Sequence, residues 1–322
     1  MTPGPNRGDE IHPDGLLAIN KPTGMVSKDI SRFLKKKFGL TKLGHVGTLD
    51  PIASGVLPIL VGKATKLQDY LVDINKEYEF DVTFGIGTDT GDSDGAVISK
   101  GEIGHLTAER LRTLCAQIHG EVWQIPPVYS AVKYKGQALY KYARSGRSAE
   151  VPLDQLGRMV RVERLDLLSF ESPIATFRMS CSKGTYVRTI ASQIAASAET
   201  CGMVSRLVRT RSAGLRVEDT MSQDRLEKLE GPIAQLIVPI EKIALPMPQW
   251  RANSYQAKQL NNGRVLQLSP PAFAENFVDN AGKEIANAST FLMLDERGTA
   301  IGIGESRSNQ GNVSVILKRG FL

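Results

Sequence analysis

Residues 44–58 combine residue types that could support nucleophilic chemistry. The segment contains three glycines and two prolines, and Asp50 is its only carboxylate. Glycine allows backbone conformations that other residues resist, and proline fixes φ, so we expect a stiff, turn-rich loop. A carboxylate presented from an apolar loop could act as a nucleophile or as a general base. Because an Asp-Pro step also commonly caps a turn, the loop alone leaves both interpretations open.

Residues 129–164 hold most of the excess positive charge of the chain. This segment has eight Lys and Arg residues against three Asp and Glu residues, a net charge of +5 out of the +6 of the whole chain. Tyrosines are interleaved with these cations, namely Tyr129, Tyr134, Tyr140 and Tyr142. Cations that follow phosphates and rings that stack on bases are typical of nucleic-acid binding. A solvated charged face would have the same composition, so the segment by itself does not distinguish nucleic-acid binding from an ordinary charged surface.

The hydrophobic pattern predicts the elements that would position these groups, and it indicates an α+β protein. We expect strands at residues 16–20, 56–61, 78–84 and 176–181. We expect helices at residues 28–37, with Ser27 as N-cap, and at residues 64–71, 107–119 and 189–198. Residues 88–95 are rich in aspartate but depart from the calcium-loop pattern at the first and twelfth positions, which favours a hairpin loop.

The composition of the sequence changes at residues 239–249, where three prolines indicate a linker. From residue 250 onward the pattern is one of short strands and Gly/Asn turns, which predicts a small β-barrel of roughly 70 residues.

Bulk composition favours a soluble, intracellular chain. Hydrophobic residues make up 41% and charged residues 23% of 322 residues, which is ordinary for a globular protein. The three cysteines are widely spaced, which predicts neither a disulfide framework nor a Cys-x-x-Cys metal site. Residues 1–13 lack the apolar core of a signal peptide, and no apolar run reaches membrane-spanning length. We therefore expect a cytoplasmic protein.

Four segments, in one order, resemble the TruB family of pseudouridine synthases: residues 20–24, 44–58, 76–78 and 183–190. The resemblance implies an enzyme that converts uridine 55 in the TΨC arm of tRNA to pseudouridine without a metal or other cofactor. It also implies a mixed, mainly antiparallel sheet flanked by helices. The implied divisions are a flexible extension (1–13), a catalytic domain (14–245) with a basic RNA-clamping insertion (about 124–155), and a PUA-like barrel (246–322). A longer segment near residues 270–286 departs from the family pattern.

Three residues take catalytic roles if the resemblance holds. Asp50 would be the nucleophile, and Arg188 would pair with it and keep it ionised. Tyr78 would stack on the target uracil and accept the C5 proton in the last step. On its own, a tyrosine on an alternating strand is more often only packing.

Further residues match family positions for substrate or RNA binding. His45 would contact the nucleotide displaced when the target base is extruded. Asp92 would support the Arg188 network, and Leu207 would line the pocket. Lys21 is most simply a packing and ion-pair residue. The remaining matches are Lys66, Tyr186 and, in the insertion, Lys133, Lys135 and Arg144.

Two other functions stay open at this point. One is a non-catalytic protein that binds or remodels RNA on the same scaffold. The other is a relative that is guided by a separate RNA, although the short insertion and the lack of long charged tails favour the stand-alone bacterial type. A monomer without an obligate protein partner is the expected state.

Overall fold

An eleven-stranded mixed sheet and a separate five-stranded sheet organise the computed structural model, which describes residues 13–278, 289–309 and 311–321. The helices are α1 (Ser27–Phe38), α2 (Gln68–Val72), α3 (Ala108–Gln117), α4 (Leu139–Arg144), α5 (Val187–Ser197), α6 (Gln223–Glu227), α7 (Ser254–Asn261) and α8 (Pro270–Ala274). The strands are β1 (Gly15–Lys21), β2 (Leu43–His45), β3 (Ala53–Val61), β4 (Lys76–Phe84), β5 (Ile86–Thr88), β6 (Val97–Lys100), β7 (Gly120–Gln124), β8 (Lys133–Tyr134), β9 (Gln137–Ala138), β10 (Arg158–Glu171), β11 (Ile174–Cys181), β12 (Gly202–Ser212), β13 (Leu215–Arg216), β14 (Met221–Ser222), β15 (Val238–Pro239), β16 (Gln249–Arg251), β17 (Leu266–Leu268), β18 (Thr290–Leu294), β19 (Ala300–Asn309) and β20 (Asn312–Gly320).

The large sheet has the central order β14-β1-β3-β12-β4-β11-β10-β7, and β2 also pairs with β3, β13 with β12 and β15 with β1. Its pairs are antiparallel except β1 with β14 and β3 with β12. The sheet is therefore mixed and mainly antiparallel, as expected. Strand β12 lies between β3, which follows the Asp50 loop, and β4, which carries Tyr78. This arrangement brings residues that are distant in sequence to one place.

One face of the large sheet is covered by helices. The main core joins Ile30 and Leu34 of α1, Leu111 of α3 and Ile190 of α5 to the buried side chains of the strands. Along β4 the buried residues alternate with partly exposed acidic ones, the pattern of a sheet with one packed face. Tyr78 is on the packed side, so its position is fixed by the core.

The predicted strands and the hairpin at residues 88–95 are present, the latter between the paired strands β5 and β6. Two details were wrong. The expected helix at residues 64–71 is a 3₁₀ turn at Gly62–Leu67 followed by α2. Ser27 is the first residue of α1 rather than its N-cap, since Val26 occupies the cap position. The pattern also failed to indicate the long strands β10 and β12.

The five-stranded sheet has the order β16-β18-β19-β20-β17 and encloses its own aromatic core around Trp250, Phe273 and Phe291. Residues 1–12 of the predicted extension, and residues 279–286 of the segment that departs from the family pattern, lie outside the described residues. The division at residue 245 is not tested by the structure and stays a prediction. In the described part of the chain, no helix combines the length and apolar character required to cross a membrane.

Candidate active site

The Asp50 loop connects β2 to β3, and Gly47 in the loop and Gly55 in β3 adopt backbone conformations that other residues resist. Gly47 and Gly55 have positive φ values of 74° and 100°. A Cβ atom on Gly55 would lie 2.3 Å from the carbonyl oxygen of Arg209 on β12. The glycines therefore let the loop lie directly against the neighbouring strand.

The N-terminal end of α1 holds the same loop from the other side. The backbone N–H of Leu49 donates to Oγ of Ser27 at 2.9 Å, and the N–H of Gly24 donates to the carbonyl of Pro51 at 2.8 Å. Thus the hydroxyl expected to cap the helix instead fixes the residue that precedes Asp50.

Lys21 is fully buried beneath this junction. Its Nζ atom donates to the carbonyls of Met25 at 2.6 Å and Pro22 at 2.8 Å. Burial lowers the pKa of Lys21 to about 8, against a smaller opposing effect of Asp50. The packing interpretation fits this position, and the Lys21 ammonium points to backbone carbonyls rather than to a surface that RNA could reach.

Arg188 connects Asp50 to two other segments. Only 4% of its side chain is exposed, and its Nη2 atom is 2.8 Å from Oδ2 of Asp50. Nη2 also donates to the carbonyl of Tyr129, and Nη1 donates to that of Thr90. Nη1 is 3.6 Å from Oδ2 of Asp92, which is buried. The expected pairing of Asp50 with Arg188 is present, and Asp92 stands behind it.

The electrostatic state of Asp50 results from opposed effects. Burial raises its pKa above the ordinary value, and the charge and hydrogen bond of Arg188 act in the opposite direction. Asp92 adds to the rise, and Lys21 reduces it. About a third of the side chain, 35%, stays exposed. A half-buried carboxylate with an aimed guanidinium partner suits a nucleophile.

Asp50 opens into a cleft of about 180 Å³ that is shared with Tyr78, Tyr186 and Leu207. Tyr78 is buried, which raises the pKa of its hydroxyl, and the Arg209 guanidinium acts in the lowering direction. Tyr186 stands directly before α5, and Leu207 lies on β12 opposite Phe80 of β4. Six of the residues selected from sequence, Asp50, Tyr78, Asp92, Tyr186, Arg188 and Leu207, therefore form one cluster.

The other selected residues lie outside this cluster. His45 is partly buried on β2, and burial together with Arg209 lowers its pKa. Lys66 follows β3, and its Nζ atom donates to the carbonyl of Gly320 at the junction with the five-stranded sheet. Lys133, Lys135 and Arg144 are exposed on the β8–β9 hairpin and α4.

Two buried cations of the cleft received no role from the sequence, namely Lys76 and Arg209. Lys76 is buried on β4, its Nζ atom donates to the carbonyls of Val72 and Ile74, and burial lowers its pKa to about 8. Arg209 is 1% exposed and lies on β12 opposite Tyr78. The basic residues Arg206, Arg209 and Arg211 are irregularly spaced in β12, so the local sequence carried no signal that one of them is buried.

Comparisons with known structures identify the fold. A chain in the crystal structure of a Cbf5–Nop10–Gar1 complex superposes with a TM-score of 0.70 at 21% identity, covering 97% of this chain and 87% of that one. A chain in an H/ACA RNP bound to a substrate RNA containing 2′-deoxyuridine gives a TM-score of 0.67 at 18% identity, covering 96% and 85%. At these identities the likeness shows the fold alone, and it extends through the five-stranded PUA-like sheet.

Sequence comparisons are more specific. The family model for the TruB family pseudouridylate synthase (N terminal domain) matches residues 35–187. A tRNA pseudouridine synthase B of Geobacillus kaustophilus is 39% identical over 271 residues, covering 81% of this chain and 93% of the relative. One of Caldanaerobacter subterraneus is 36% identical over 255 residues, covering 79% and 86%. This chain therefore belongs to the TruB family of pseudouridine synthases.

Proposed function

We propose that this protein isomerises uridine 55 in the TΨC arm of tRNA to pseudouridine, with Asp50 as the nucleophile. The observation that carries the proposal is the Asp50–Arg188 ion pair at the wall of a cleft that also contains Tyr78. The relatives named tRNA pseudouridine synthase B support tRNA as the substrate, since the identity extends over most of both chains.

The reaction rearranges one nucleoside without gain or loss of atoms. The Asp50 carboxylate forms a bond to the nucleoside, and the N1–C1′ bond breaks. The uracil then turns within the cleft, C5 forms the new bond to C1′, and the bond to Asp50 breaks, which returns the free carboxylate. In the last step the C5–H bond breaks, its electron pair forms the C5–C6 double bond, and N1 takes up a proton. Tyr78 lines the same cleft and, in its ionised form, would accept the proton from C5.

Substrate binding requires that the target base leave the RNA stack and enter the cleft. Tyr78, Tyr186 and Leu207 offer apolar and aromatic surface to the base. His45 lies on the strand before the Asp50 loop and would contact the nucleotide displaced from the stack. The exposed cations of the insertion, Lys133, Lys135 and Arg144, would bind phosphates of the arm.

A purely RNA-binding function explains the site less well. A partly buried carboxylate in a protein that binds a polyanion opposes binding, and its burial carries a cost in free energy. Arg188 makes four polar contacts, to Asp50, Asp92, Thr90 and Tyr129. Binding of RNA phosphates alone would not require them, because a surface arginine could do the same.

The test is release of tritium from a tRNA transcript labelled at C5 of uridine, without any guide RNA. We expect the wild-type protein to release tritium and Asp50→Asn to be slower by about 10³-fold or more, since removal of a nucleophile costs at least that much. The variant should fold and bind tRNA as the wild type does. Replacement of uridine 55 in the transcript should abolish release. Release that is unchanged by that replacement would refute uridine 55 as the target nucleotide. Absence of release by the wild type would refute the proposed enzymatic activity.

The state of assembly and the location in the cell stay predictions. A monomer without an obligate partner should elute at the mass of one 35.1 kDa chain in light-scattering chromatography. A cytoplasmic location is consistent with a tRNA substrate.

A further inference from the structure

Arg209 is a fully buried cation to which no carboxylate is paired within the described residues. Burial of a guanidinium without a counter-ion is expensive, and such groups are retained where their hydrogen bonds and their charge serve a purpose. Arg188, the other buried arginine of the site, has two carboxylate neighbours. The charge of Arg188 is therefore balanced by neighbouring carboxylates, whereas the charge of Arg209 is not.

The hydrogen bonds of Arg209 are directed at the Asp50 loop. Its Nε atom donates to the carbonyl of Val56 at 2.7 Å, Nη1 to that of Thr48 at 3.3 Å, and Nη2 to that of Gly47 at 3.3 Å. The first acceptor lies in β3 and the other two lie in the loop. One planar group thus fixes both ends of the segment that presents Asp50.

Arg209 also faces the second catalytic candidate. It pairs with Tyr78 across β12 and β4, and both side chains line the cleft. Its charge favours the ionised form of the Tyr78 hydroxyl and opposes the effect of burial. Lys76 is two residues away on β4, but its Nζ atom is directed at the carbonyls of Val72 and Ile74.

We propose that Arg209 is a positioning residue that couples the two ends of the reaction, because it holds the Asp50 loop through three carbonyls and places a positive charge beside Tyr78. This inference rests on the proposed function. It adds that the first and last steps depend on one buried cation whose hydrogen bonds go to backbone carbonyls rather than to the Asp50 carboxylate.

The experiment compares Arg209→Gln and Arg209→Lys with the wild type in single-turnover tritium release from C5-labelled tRNA. The range runs from pH 6 to about pH 11.5, because burial raises the pKa of Tyr78 above the ordinary value of about 10. We expect Arg209→Gln to be slower by about 10²-fold, the scale of one acid–base contribution. Arg209→Lys should recover part of that loss, because it keeps the charge but cannot meet three carbonyls. The affinity for tRNA should be unchanged in both.

The pH profile separates positioning from mere support of the fold. Without the guanidinium the pKa of Tyr78 rises, so the alkaline inflection of the rate should move to higher pH in Arg209→Gln and by less in Arg209→Lys. Arg206→Gln is the matched control, since Arg206 lies on the same strand but bonds Asp81 outside the cleft. Its inflection should equal that of the wild type.

Several outcomes would overturn the inference while leaving the proposed function intact. These are a wild-type release rate in Arg209→Gln, an equal loss at every pH with no movement of the inflection, or a loss confined to tRNA binding. If neither variant folds by circular dichroism and thermal melting, Arg209 is only structural and the inference is wrong. Absence of release by the wild type would refute the proposed function itself.

Discussion

Asp50 must be ionised to attack, yet its surroundings favour the protonated form. Burial raises its pKa, and Arg188 provides the main opposing effect. As the pH falls through this raised pKa the nucleophile is lost, so the rate of tritium release should decline on the acid side above the ordinary range of an aspartate. In Arg188→Gln the opposing effect is gone, and the acid inflection should move further toward neutral pH.

Single-turnover release between pH 4 and pH 8 measures this inflection. Arg178→Gln is a suitable control, because Arg178 is half exposed on β11 and pairs with Glu79 rather than with the site. An inflection that stays in place when Arg188 is replaced would mean that Arg188 does not govern the ionisation of Asp50.

Lys21 gives a prediction for stability at alkaline pH. Its folded pKa of about 8 is below the ordinary 10.5, so between these values the unfolded chain binds more protons than the folded one. The free energy of unfolding contributed by Lys21 should therefore rise with pH over this window, by about 1.4 kcal/mol for each unit of pKa difference at most. Lys21→Met lacks this rise.

Denaturant titrations of both proteins at pH 7.5, 9 and 10 provide the measurement. The destabilisation caused by Lys21→Met should grow with pH. The control is Lys63→Met, which replaces an exposed lysine. A difference between wild type and Lys21→Met that is constant over this range would contradict the lowered pKa.

At the scale of elements, strand β12 shows where sequence reasoning reached its limit. Asp50, Tyr78 and Arg188 were selected because their local motifs resemble those of a family, and each motif sits on one loop, strand or helix start. Arg209 belongs to a strand whose basic residues dilute the hydrophobic signal, so neither the strand nor its buried arginine was indicated. Its partners in β3 and β4 are more than a hundred residues away. Only the tertiary pairing reveals them.

Ser27 makes the same point at a helix terminus. Its residue type and its place before an amphipathic run predicted an N-cap, and the helix was indeed correct within a few residues. The hydroxyl, however, is satisfied by Leu49 of the Asp50 loop. A serine oxygen can accept a hydrogen bond from a local or a distant N–H. Tertiary packing decides which donor it meets, and a local sequence pattern carries no information on that packing.

The insertion behaves as an exposed element with a small core of its own. Leu139, Tyr142 and Val151 form that core, and Lys133 and Lys135 stand on the hairpin in front of it. If these cations and Arg144 bind phosphates, replacement of all three by alanine should weaken tRNA binding and reduce the slope of log affinity against log salt by about 3.

Filter binding at several salt concentrations measures both quantities. The matched control replaces three exposed cations outside the insertion, Lys100, Arg112 and Lys228, by alanine. Equal losses in the two triple variants would indicate a nonspecific effect of net charge, and would remove the insertion from the RNA contact surface.

At the scale of the whole molecule, the two sheets share a hydrophobic cluster. Leu292, Leu294, Ile303 and Phe321 of the C-terminal part pack with Leu16, Leu60 and Leu67 next to the active-site strands. Polar contacts follow the same junction, where Arg319 donates to the carbonyl of Lys66 at 2.9 Å and pairs with Asp69 at 2.8 Å. A barrel of this size could fold alone, but this junction predicts that its unfolding is coupled to that of the large sheet.

The substitution Phe321→Ala tests the coupling, because Phe321 is buried in the shared cluster. We expect a loss of about 3–5 kcal/mol in the free energy of unfolding. Hydrogen exchange should speed up in β1 and β3 as well as in β19 and β20, since both sheets lose the same contact. The control Phe291→Ala removes an aromatic ring from the separate C-terminal core, and its effect on exchange should stay within the five-stranded sheet. If Phe321→Ala also leaves β1 and β3 unaffected, the two parts unfold independently, and the shared cluster is a contact surface rather than a common core.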